Sequence, residues 1–132
     1  MSSRPQPEDP PQGAPVIRIT AMPNNTNPAG DVFGGWLMGL MDLAAASAAT
    51  RRARGRCATV AVEAMSFLSP VRVGDEVSCY AEMVSTGRTS LKVRVEAWRR
   101  EREGEHMNRV TDAVFTFVAL DQTGRPRPVP AA

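Results

Sequence analysis

One helix in this chain is apolar nearly all the way round, and few folds can accommodate it. Over residues 33–53, Trp36, Leu37, Leu40, Met41, Leu43, Ala44 and Ala48 cover most of the helical circumference instead of one stripe. The run Ala44-Ala45-Ala46-Ser47-Ala48-Ala49 keeps the helix slim enough for a sheet to approach closely. Arg51, Arg52 and Arg54 fall in its last turn, where the helix dipole favours cations, and Gly55 follows as a stop. A short strand over 16–22, stopped by Pro23, precedes it. Four strand-like runs follow, at 57–68, 76–85, 89–100 and 110–120, separated by Pro, Gly and charged turns. Leu91, Val93, Val95 and Ala97 alternate with Lys92, Arg94 and Glu96, while residues 114–118 are apolar on both faces and predict a central strand. The order predicts an α+β fold, one long helix wrapped by one curved antiparallel sheet. Such a sheet covers one side of the helix. The other apolar side predicts at least a homodimer.

At 132 residues and 42% hydrophobic content, the chain suits one domain over 16–130. Residues 1–15, rich in Pro, Ser and Gln, read as a disordered tail. The formal charge of +2 suits an anionic small ligand, and the absence of basic–aromatic interleaving argues against nucleic acid. Cys57 and Cys79 form no CxxC or Cys/His cluster, so neither a metal site nor a disulfide framework is expected, and free buried thiols are. No signal-like apolar segment and no bilayer-length run is present, which predicts a cytoplasmic protein without membrane partners.

The chemistry gathers where the loop Asn27-Pro28-Ala29-Gly30-Asp31-Val32-Phe33 enters the helix at Gly34-Gly35-Trp36. The first N–H groups of a helix lack internal partners, so they suit an oxygen that becomes anionic during attack on a carbonyl. The two glycines either leave that approach open or permit tight packing. Asp42 sits inside the apolar helix, where its desolvation cost demands a reason. It is a general base for water, a nucleophile, or a structural carboxylate satisfied by a partner. Gly35 and Asp42 lie seven residues apart on one helical face, roughly 10 Å along the axis. One carbonyl cannot easily touch both, so a site shared between protomers is the natural solution. Asn27 offers an amide for orienting a reactant but also suits a turn. Asp31 stands where a helix cap belongs. Thr59 is placed to hold a water, or is there for its β-propensity. Arg88-Thr89-Ser90 is an anion-contact candidate or a solvated hairpin. The only histidine, His106, falls in a charged turn, which speaks against a Ser-His-Asp triad.

The pattern Asn27-Pro-x-Gly30-Asp31-x-Phe33-Gly34-Gly35-Trp36, then Asp42, resembles the bacterial short- and medium-chain acyl-coenzyme A hydrolases of the hotdog-fold thioesterase family. The similarity continues through Thr59–Glu63, Phe67-Leu68-x-Pro70-Val71-x-Val73-Gly74-Asp75, Gly87–Ser90, Thr111–Phe115 and the Gly124–Pro130 end. The proline-rich N-terminal tail departs from it. The resemblance implies a hotdog fold paired into a double-hotdog dimer, commonly a trimer of dimers, with no metal or redox cofactor and coenzyme A present only as part of the substrate. It implies that Asp42 is the catalytic carboxylate, Asn27 its polar partner from the other protomer and the Gly35 N–H the oxyanion donor. Gly34, Thr59, Arg88, Thr89 and Ser90 complete the expected substrate-contacting set. The expected reaction is hydrolysis of short- to medium-chain acyl-CoA. The alternative is a non-catalytic acyl-CoA- or nucleotide-binding hotdog module. A hydratase is disfavoured by the position of His106.

Overall fold

The helix decides the architecture, because its small residues let the sheet come close along its whole length. The computed structural model describes residues 9–132. Helix α1 spans Gly34–Ala53 and buries Leu37, Leu40, Met41, Ala44, Ala45, Ala49 and Ala53 on one face. Arg54 adopts a left-handed conformation (φ 53°) and ends it. The strands are β1 (Ile17–Thr20), β2 (Cys57–Glu63), β3 (Glu76–Thr86), β4 (Ser90–Arg100) and β5 (Met107–Ala119). They form one antiparallel sheet in the order β1-β3-β4-β5-β2, curled around α1. Leu91, Val93, Val95 and Ala97 of β4 and Phe115 and Phe117 of β5 face the helix and build the core.

The expected helix and strands are all present, with two differences. First, β5 is an interior strand, but β4 holds the centre, and the outward residues of β5 are half-buried rather than buried. Second, β2 stops at Glu63 instead of continuing to 68, because Ala64 turns left-handed (φ 55°). The next residues leave the ladder, and the Leu68 N–H donates to the Val110 carbonyl at 2.7 Å. As expected, the sheet covers α1 on one side only within the protomer: Leu43 is 65% exposed and Met38 39%. The tail expectation falls partly on residues 1–8, which lie outside the described residues; residues 9–15 form no helix or strand.

Two fixtures hold the loops around the helix start. The buried Asp75 accepts a bond from the Arg72 N–H at 3.0 Å and pairs with Arg99 at 3.3 Å. Arg72 in turn bridges to Asp31, and the Val32 N–H donates to the Val71 carbonyl at 2.9 Å. The loop before α1 is thereby tied to the turn before β3. Both cysteines are free. Burial pushes the Cys79 thiol up to about 12. Burial also raises Cys57, against an opposing effect of the nearby Arg127 cation. Among the described residues no helix is long and apolar enough to cross a membrane.

Candidate active site

The exposed side of α1 carries the residues with chemical potential. Phe33, extended (φ −60°, ψ 134°), occupies the N-cap position and provides no side-chain cap. Asp31 is therefore not the cap. Its backbone is drawn into the bridge with Arg72, which holds it extended and short of the helix start. Among the described residues, the Gly34 and Gly35 N–H groups donate to no backbone carbonyl, whereas those of Trp36 and Leu37 both reach the Phe33 carbonyl. The two glycines turn out to differ. A Cβ on Gly34 would stand 3.3 Å from Cζ of Phe67, while one on Gly35 would meet nothing within 4 Å. Gly34 serves close packing; Gly35 presents an open N–H.

Two turns further along the same face stands Asp42, half-buried at the edge of β2. Its Oδ1 accepts a hydrogen bond from the Thr59 hydroxyl at 2.6 Å. A donor this short on a carboxylate belongs to the strong, charge-assisted class. It fixes the carboxylate's orientation and leaves Oδ2 available. Thr59 thus touches the candidate carboxylate and acts through it as a positioning residue. Replacing Thr59 with valine, of nearly the same shape, removes about 1.5–3 kcal/mol of orienting interaction. A fall in kcat of roughly ten- to a hundredfold is expected. Steady-state kinetics check this: KM stays nearly constant and Thr59→Ser restores the rate.

Asn27 is first of all a turn residue. Its Oδ1 accepts bonds from the N–H groups of Ala29 at 3.0 Å and Asp31 at 3.1 Å. This fixes the side chain and, among the described residues, leaves its amide N–H groups unused, so Asn27 offers donors and no acceptor. Arg88, Thr89 and Ser90 stand elsewhere. The Arg88 and Thr89 carbonyls accept from Val129 and Ala119, and Ser90 pairs with Val118. That end of the sheet holds the C-terminus of α1 and the start of β2. A single protomer therefore gathers Asn27, Gly34 and Gly35 at one end, Asp42 and Thr59 in the middle, and the Arg88 hairpin at the other. Phe67, absent from the expected site, lies directly against the helix start.

A sequence profile described as the thioesterase superfamily matches residues 29–105, which includes α1 and β2 and all of the preceding loop except Asn27 and Pro28. The chain belongs to the thioesterase superfamily. Within that superfamily, the acyl-CoA thioester hydrolase YciA of Salmonella typhimurium is 48% identical over 123 residues, spanning 91% of this chain and 92% of the relative. A hexameric thioesterase from Yersinia pestis superposes with a TM-score of 0.87 at 48% identity, covering 92% of this chain and 99% of that one. A hexameric hotdog-fold thioesterase of Campylobacter jejuni superposes with a TM-score of 0.83 at 38% identity, covering 89% of this chain and 91% of that one. The fold of this thioesterase-superfamily member is accordingly the hotdog, its helix being the filling and the curled sheet the wrapping.

Proposed function

We propose that the chain hydrolyses acyl-CoA thioesters to a free fatty acid and coenzyme A. The observation that carries this reading is the Asp42 carboxylate, oriented by Thr59 on the same helical stripe as the open Gly35 N–H. The thioester oxygen rests on the Gly35 N–H, where helix-terminal dipoles stabilise the charge that develops on attack. The partner subunit's Asp42 either draws a proton from water or attacks the carbonyl carbon itself, and a water-derived oxygen ends on the acid. The C–S bond breaks and the thiolate leaves with a proton. Hydrolysis changes no oxidation state and takes no redox cofactor, and the proposed attack runs on Asp42 in place of a metal. The spare amide of Asn27 orients the reacting group, and the Arg88–Ser90 hairpin lies against the coenzyme A portion.

Sharing the site requires a dimer. Pairing across Met38, Leu43 and the free edge of β2, where Val60 and Val62 are also exposed, covers the apolar side of α1 and brings two copies of the stripe together. The Yersinia pestis and Campylobacter jejuni proteins are hexameric, which supports a trimer of such dimers. The proposed setting is the cytoplasm. The test is thiol release from a panel of acyl-CoAs: turnover supports the hydrolase, whereas binding without turnover of any member replaces it with the binding module.

A further inference from the structure

The Gly35 N–H follows directly on a long loop, and a loop by itself holds a hydrogen-bond donor poorly. Between β1 and α1 the chain makes one short 3-10 turn, Pro23–Asn25, and otherwise only the isolated bridges of Thr26 with Val32 and of Asp31 with Arg72. Groups that stabilise a transition state must be held to within about 0.5 Å. We infer that the buried Asp75 is the positioning residue that supplies this precision: through Arg99 it fastens the loop carrying Asn27 and Gly35 to the central strand of the sheet. The inference rests on the acyl-CoA hydrolase reading and deepens it.

Two hydrogen-bonded routes lead from Asp75 to Phe33, the residue that opens α1. The first begins at the carboxylate, whose Oδ2 accepts from the Arg72 N–H at 3.0 Å. Arg72 forms the bridge with Asp31, and the neighbouring Val71 carbonyl accepts from the Val32 N–H at 2.9 Å, one residue before Phe33. The second begins at the Asp75 carbonyl, which accepts from the N–H of the fully buried Ala21 at 2.9 Å. From there the chain enters the Pro23–Asn25 turn, and the Asn25 carbonyl accepts from the Phe33 N–H at 3.0 Å. Asn27 hangs on the first route, its N–H donating to the Asp31 carbonyl at 2.6 Å.

The charge of Asp75 matters because of what it holds on the other side. Arg99 stands on β4 at the middle of the sheet, paired with Val77 of β3 and Asn108 of β5. Its Nη1 reaches Oδ2 of Asp75 at 3.3 Å, with the two side chains only 15% and 7% exposed. The other acid near Arg99, Glu101, is 3.9 Å away and 74% exposed. Where water is this scarce, removing one partner of a charge pair leaves the other uncompensated. Arg99 without Asp75 is drawn outward to Glu101, and the turn before β3 loses its tie to the sheet. The damage is confined to one half of the shared site. Asp42 and Thr59 are carried by the packed body of α1 and by β2, outside both routes.

The test is Asp75→Asn, a change of nearly the same shape that keeps an acceptor for the Arg72 N–H and removes the charge facing Arg99. On the acyl-CoA that the wild type hydrolyses best, kcat per folded enzyme is expected to fall roughly ten- to a hundredfold with KM nearly constant. Arg99→Lys keeps the charge on a narrower donor; it is expected to lose less, and carries the same measurements alone if Asp75→Asn does not fold. Mixed refolding supplies the readout that a general loss of stability would not move. With Asp42→Ala as partner, about a quarter of wild-type activity should return, because the mixed dimer holds one site with Asp75 and Gly35 from one chain and Asp42 from the other. With Gly35→Leu as partner none should return, since both lesions lie in the same half. Unchanged kcat in the folded variants, or equal activity from the two mixtures, overturns the positioning role and leaves the hydrolase reading standing. No coenzyme A release by the wild type from any acyl-CoA overturns both.

Discussion

Replacing Asp42 with alanine is expected to slow coenzyme A release at least about a hundredfold, the lower end of what a positioned base contributes, while fold and oligomer size stay unchanged. The stability half of this prediction follows from the surroundings. Asp42 is half-buried, and its one side-chain partner, Thr59, is exposed. Its removal therefore strands no buried donor, and water satisfies the freed hydroxyl. Alanine is also the better helix former at a mid-helix position. The activity half follows from the absence of a substitute: α1 contains no other carboxylate, and its exposed residues before the terminal arginines are Gly34, Gly35, Met38, Gly39, Leu43 and Ser47. Thiol release, circular dichroism and light scattering on the same preparation check both halves. A variant that folds, assembles and still turns over at near wild-type rate removes Asp42 from the mechanism.

The same variant tests whether the site is shared. A Cβ on Gly35 meets nothing within 4 Å inside the protomer, so a bulky residue there, such as Gly35→Leu, is expected to be tolerated by the protomer while it obstructs the open N–H. Each variant alone is expected to be inactive. After unfolding and refolding together, half of a random population is mixed dimer, and each such dimer holds one site with both Gly35 and Asp42 intact. About a quarter of wild-type activity should return. If both residues acted within one protomer, mixing would restore none.

How much of this was legible in the sequence depends on the range of the forces involved. The helix and the strands were, because burial leaves a periodic trace that survives in the chain. Asp42 was legible for the opposite reason, as an acid that breaks an apolar pattern. The end of β2 was not: alanine has no intrinsic preference for the left-handed conformation of Ala64, and the bond from Leu68 to Val110 spans two elements. Asp31 had a capping residue's identity and nearly its position, but a tertiary bridge to Arg72 overrode the local preference. The glycine pair read as one feature, and only the position of Phe67 separates packing Gly34 from open Gly35. Thr59 was a candidate for substrate, while the structure puts its hydroxyl on the carboxylate 17 positions away.

A charge on the exposed side of α1 should be as damaging as the loss of Asp42, by another route. Leu43 is 65% exposed in the protomer and next to Asp42 in sequence, and Met38 and the β2 valines are exposed as well. Covering one leucine contributes about 1.5–3 kcal/mol, and a two-fold interface counts it twice. In Leu43→Glu that gain is lost, and each copy would bring a carboxylate into an apolar contact. The variant is expected to sediment as a folded monomer and to lose activity by at least about a hundredfold, with the Asp42–Thr59 pair undisturbed. Sedimentation and thiol release, measured at the same concentration, separate the outcomes. A monomer that retains full activity removes the shared site, and an oligomer of unchanged mass places the interface elsewhere. In Asp42→Ala turnover disappears while assembly remains; in Leu43→Glu the two disappear together, because the groups that attack and the groups that stabilise would then belong to separated chains.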